Sequence, residues 1–226
     1  MIYLILIIAL VVLIYGPSIW VKYVIHKHNK NLDGMPGTGS ELALHLIERF
    51  KLEGVTVKKT RADEDYYSPS EKVVGLSPEV YNGKSISAVA IAAHEVGHAI
   101  QHIRNEPVSQ LRDRYAVPAK MVQNAGIYLL ASVPIAGLIS RSHTLMIVIV
   151  LVGVITMLAS VVFHAMVLPE EFDASFDKAL PILNEGYVPT EYMPAVRQVL
   201  KACALTYVAG ALADVLSIWR WISIVR

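Results

Sequence analysis

The 226-residue chain has a single cysteine, Cys203, so no disulfide can close within it and the fold does not rely on an oxidising compartment. Net charge is nearly absent as well. Twenty Lys and Arg against nineteen Asp and Glu leave +1, and the basic residues do not gather into a basic, aromatic-rich surface, which excludes nucleic acid as a partner. The first apolar run has no basic segment ahead of it and no small-residue cleavage site behind it. A retained anchor is therefore expected there, not a signal peptide. What the chain has in quantity is apolar side chains: 54% of residues are hydrophobic and mean hydropathy is +0.48. That is too apolar for an ordinary soluble domain, yet long charged stretches separate the apolar blocks, so a membrane-attached single domain is the expected class.

Residues 2–21 carry no charge, enough helix to cross a hydrocarbon core of about 30 Å. Lys22, Lys27 and Lys30 follow at once, which puts the N-terminus outside and the next section in the cytoplasm. Residues 121–140 form a second uncharged run, interrupted by Pro134, and after the short turn Arg141-Ser142-His143 comes a third, 144–168. The two predict a transmembrane hairpin. Lys22, Lys27, Lys30, Arg112, Arg114 and Lys120 lie on the proposed inner side and Arg141 alone in the outer turn, in keeping with that orientation. Residues 202–219 are apolar apart from Asp214 and end at Arg220; a fourth span is expected, with Asp214 facing protein, over a helix lying in the interface.

Between the first two runs, residues 32–39 form a Gly- and Pro-rich linker. Leu42, Leu46, Ile47 and Phe50 recur at helical spacing after it, and Thr38 with Glu41 predicts a capping box. Residues 55–60 and 72–77 are short and β-branched, and read as an antiparallel pair joined by the long connection RADEDYYSPSE. An edge of that pair either takes an extended peptide by strand addition or only stiffens the scaffold.

The chemistry concentrates in residues 85–103, SISAVAIAAHEVGHAIQHI. Ile86, Val89, Ala93, Val96, Ile100 and Ile103 form one helical stripe, with His94 and His98 expected on nearly the opposite face. Imidazoles at i and i+4 converge on one metal ion, and Glu95, about 100° round the helix, reaches water at that metal. His102 lies about 12 Å along the axis from His94, too far to share the ion. Gln101 and Arg104 stand where the metzincin extension requires glycine and histidine, so that class fails. Leu32-Asp33-Gly34 precedes the metal helix instead of following it within a span, which discounts the intramembrane class. A catalytic zinc keeps three protein ligands, so one more is needed. An even number of crossings returns the chain to the same face after the hairpin, where Pro169 opens a helix bearing Glu170, Glu171 and Asp173, acids that could equally serve only as caps.

AAHEVGHAIQH, DEDYYSPSEKVVGLSPEVYNGKS, EFDAS and ALTYVAGAL resemble the neutral zinc membrane peptidases of the YugP type over nearly the whole chain, and the order of parts is similar to the wider HtpX-type peptidases. The resemblance implies one Zn²⁺ per chain held by His94, His98 and Glu171, the last by position in an E-x-x-x-D motif. Ser175 replaces the Asp of that motif, and Asp173 is expected to supply the contact to a histidine. It implies a mainly α membrane protein: a gluzincin-like zinc-peptidase domain with a small antiparallel sheet on three to four transmembrane helices. The expected division is an anchor (1–25), a cytoplasmic-facing catalytic part (26–120), the hairpin (121–168), a third-ligand segment (169–201) and a C-terminal membrane helix (202–226). The expected activity is endopeptidase, with Glu95 as general base, peptide or protein as substrate, and the active site at the cytoplasmic face of the cell membrane. Tyr207, His164 and Tyr187 are candidate donors to the oxyanion; His26 and His28 are expected in a solvated juxtamembrane stretch without chemistry. A scaffold with a structural metal, or another zinc hydrolase, is the competing reading.

Overall fold

The computed structural model describes residues 2–215. It divides into two compact units: residues 2–18, 111–168 and 207–215 in the first, residues 19–110 and 169–206 in the second. Helix α1, Ile2–Lys27, contains the first apolar run. The 202–226 segment enters α9, Met193–Val215, and its remainder lies outside the described residues.

The first unit is dominated by α5, Leu111–Ser140, and α6, His143–Ala165. Among the described residues, two helical stretches, Pro107–Ser140 and His143–Asn184, are long and apolar enough to cross a membrane. At the hairpin turn Ser142 caps α6 by accepting from the backbone N–H of Leu145 at 3.3 Å. Ile127, Leu130 and Met157 form the buried contact between the two helices, with Val161 against them. The helices approach closely there: a Cβ on Gly126 would fall 2.6 Å from Met157 Cγ. Small residues at the crossing allow such an approach where no hydrophobic effect drives helices together.

The second unit is built round α4, Ile86–Ile103, capped by Ser85. Helix α2, Gly39–Arg49, packs on it and opens with the expected capping box between Thr38 and Glu41. Three short strands follow: β1 Thr56–Lys59, β2 Tyr66–Ser68 and β3 Val73–Leu76, in the order β1-β3-β2. The expected antiparallel pairing is corrected here. β1 and β3 run parallel, with Thr56 opposite Val73, and β2 is the antiparallel partner of β3, with Tyr67 opposite Val74. The connection read as a loop contains β2, and that additional chain reversal turns β3 to the direction of β1. Because β3 is central, the 72–77 strand has no edge to offer; β1 and β2 are the outer strands. The short α3, Pro78–Asn82, leads into α4.

The single apolar stripe expected for α4 is also corrected. Every residue from Ile86 to Gln101 is buried, because α2, α3, β2, β3 and the segments after residue 168 enclose the helix. Those segments are α7, Leu168–Phe172, a π-helical stretch Asp173–Ala179, and α8, Leu180–Asn184. Pro169 falls in the first turn of α7, as its missing N–H favours.

Candidate active site

The close packing of the π-helical stretch on α4 is set by Gly97. A Cβ at that position would sit 2.7 Å from the carbonyl oxygen of Ala174, nearer than carbon approaches oxygen, so only glycine lets the two backbones meet. This approach brings Glu171 to the two imidazoles. Glu171 Oε2 lies 3.3 Å from His94 Nε2 and 3.4 Å from His98 Nε2, and the two nitrogens are 3.3 Å apart. The three groups are buried, Glu171 to 1% exposure, and could hold a metal ion. A tetrahedral zinc with bonds of about 2.0–2.1 Å needs ligand atoms about 3.3 Å apart. The nearly equilateral triangle meets that requirement.

The protons on the rings follow from their other partners. Ser175 Oγ donates to the carbonyl of Leu200 at 3.1 Å, so its lone pair accepts the His94 Nδ1–H at 3.0 Å. His94 therefore presents an unprotonated Nε2 to the triangle. Ser175, at the place of the aspartate in the resembling motif, contacts His94 directly. Asp173 does not touch a histidine as expected; its Oδ2 accepts from Gln101 Nε2 at 2.7 Å, and Gln101 Oε1 lies 2.9 Å from His98 Nδ1. Gln101 escaped the sequence reading, although its position three residues after His98 puts both on one helix face. Glu170 Oε1 stands 3.9 Å from the same His98 Nδ1. His102 Nδ1 meets the hydroxyl of buried Tyr67 at 3.1 Å, which ties β2 to α4.

A cavity of about 550 Å³ reaches His94 and Glu95, and its wall includes Asp65, Ser77, Lys22 and His26. His26 is exposed, as expected, and stands on this wall. Asp65 accepts from the Ser77 backbone N–H at 2.7 Å and from its hydroxyl at 3.1 Å. Burial pushes the Asp65 pKa up to about 6 against those two bonds, and the charges of Glu95 and Asp63 add to the rise. Tyr187 is removed from the donor candidates. Its hydroxyl is engaged by His45 at 2.6 Å and Arg49 at 3.2 Å, beside a different cavity. His164 and Tyr207 pack against each other in the first unit, ring centroids 6.4 Å apart, with His164 Nδ1 donating to the Ser160 carbonyl.

A family model described as "Putative neutral zinc metallopeptidase" matches residues 3–226. "Putative membrane protease YugP" of Bacillus subtilis (strain 168) is 33% identical over 230 residues, covering 97% of this chain and 96% of that protein. No solved structure matches the chain. With a buried histidine pair and carboxylate spaced for zinc, and with sequence likeness extending from end to end, the chain belongs to the neutral zinc metallopeptidase family.

Proposed function

We propose that the chain is a membrane-anchored zinc endopeptidase with its active site at the cytoplasmic face. The observation that carries this reading is the triangle of His94 Nε2, His98 Nε2 and Glu171 Oε2, whose His94 lines one cavity together with Glu95. Zinc, when bound, supplies the Lewis acidity that activates water at neutral pH and polarises a scissile carbonyl. Glu95 takes the proton of the attacking water and delivers it to the leaving amine. Charge developing on the carbonyl oxygen needs a preorganised donor. On the wall, the hydroxyls of Ser77, Ser87 and Thr206 are committed to Asp65, the Ile25 carbonyl and the Cys203 carbonyl. The Asn29 amide on the same wall donates to Glu79, and we place Lys22 and His26 in the role ahead of His164 and Tyr207. The outer strand β2 is the proposed seat of an extended substrate.

The test is hydrolysis of a labelled peptide by detergent-solubilised protein, with and without a chelator. Glu95→Gln should retain zinc while hydrolysis falls by about 10²–10⁴-fold. Cleavage at the parent rate by the zinc-loaded variant rejects Glu95 as the base. Hydrolysis by neither protein leaves the chain as a scaffold whose metal holds the fold. Zinc content of His94→Ala, His98→Ala and Glu171→Ala should collapse, and a full complement in any of them removes that residue from the ligand set.

A further inference from the structure

Gln101 is completely buried, 0% exposed, and its side-chain amide is held at both ends. Nε2 donates to the Glu170 carbonyl at 2.9 Å and to Asp173 Oδ2 at 2.7 Å, leaving Oε1 at 2.9 Å from His98 Nδ1. An amide has two N–H donors on one side and only an acceptor on the other. Turned over, it would press its oxygen against a carbonyl and a carboxylate, neither of which can donate, so one orientation survives. In that orientation Oε1 accepts, His98 must carry its proton on Nδ1, and the lone pair is left on Nε2, the atom facing His94 and Glu171. Asp173 is itself fixed by Lys178, whose Nζ lies 3.0 Å from Asp173 Oδ2 and 2.9 Å from Glu106 Oε2.

We propose that Gln101 is a positioning residue that sets the tautomer and ring plane of His98 for the metal, with Asp173 acting on His98 only through it. The proposal rests on the zinc-peptidase reading and deepens it. The neutral amide, at 2.9 Å, is the acceptor within hydrogen-bond distance of His98 Nδ1, while the Glu170 carboxylate stands beyond it at 3.9 Å. In zinc sites a carboxylate often takes this place; here the carboxylate stands one residue further back.

Two measurements on the metal-free and zinc-titrated protein test it. In ¹⁵N-histidine spectra of the metal-free protein, His98, identified by its loss in His98→Gln, should be in the Nδ1–H tautomer. Gln101→Leu should give a mixture of tautomers, and zinc Kd, measured against a chelating dye, should rise about 10–100-fold. Asp173→Ala should raise Kd in the parent but have little further effect in Gln101→Leu, because its influence passes through the amide. An unchanged tautomer and Kd in Gln101→Leu overturns the proposal, as does an Asp173→Ala effect that adds in full. Should Gln101→Leu fail to fold, Asp173→Ala alone decides: it takes away one of the two acceptors that hold Gln101 Nε2 and leaves the Glu170 carbonyl, so the amide is held less firmly and zinc Kd should still rise; an unaltered Kd overturns the proposal. A parent protein that binds no zinc overturns the peptidase reading and this proposal with it, an outcome separate from tight parental binding that is indifferent to Gln101.

Discussion

Asp65 shows how one side chain couples the cavity to stability. Unfolded it titrates near 3.8, and folded near 6 because burial disfavours its charge. Between those values the folded protein binds the extra proton, so the contribution of Asp65 to stability is greatest below about pH 4 and declines as pH rises through 6. A rise of this size corresponds to about 3 kcal/mol at neutral pH. Asp65→Asn preserves an acceptor for the Ser77 N–H and removes the charge. Its thermal midpoint should exceed the parent's at pH 8 and match it at pH 4, which differential scanning calorimetry at the two pH values can check; equal midpoints at pH 8 reject burial as the cause. That His94, His98 and Glu171 come together was legible in the sequence, because the histidine spacing sets two of them on one helix face and a family motif supplied the third. Asp65 and Gln101 were not. Their parts depend on what faces them, Ser77 across a hairpin and the Glu170 carbonyl across the fold, and no local pattern reports a partner that distant.

Among the elements, the contact between α4 and the π-helical stretch decides whether the site exists. The π turn widens the helix at Asp173–Ala179, a distortion frequent at functional sites, and it runs against the one position of α4 that lacks a Cβ. Gly97→Ala should push Ala174 away, cost about 1–3 kcal/mol in overpacking and lower zinc affinity without altering any ligand. Parental zinc binding and stability in Gly97→Ala would show that the backbones can separate without harm. Within the motif the two x positions read as filler, so the requirement for glycine at the second was invisible until its neighbour across the gap was known. The helices themselves were legible from periodicity and capping. Strand direction was not, since β-propensity says where a strand lies and not how many reversals precede the next one.

For the whole molecule, the proposed topology puts the Arg141–His143 turn outside and Lys30 inside. Cys203 is buried, which leaves the background clean for cysteine labelling. In intact cells a membrane-impermeant maleimide should modify His143→Cys and spare Lys30→Cys; the reverse pattern inverts the orientation. The two long apolar helices of the hairpin were plain in the sequence because a hydrocarbon core imposes length and polarity directly.

The carboxylate of the triangle follows the hairpin, while both imidazoles precede it. On a ribosome, the histidine helix emerges first and waits through synthesis and insertion of both apolar segments before its third partner is made. A nascent chain that stalls before the hairpin is complete carries both imidazoles without the carboxylate, so the triangle closes only after the two apolar segments have been made.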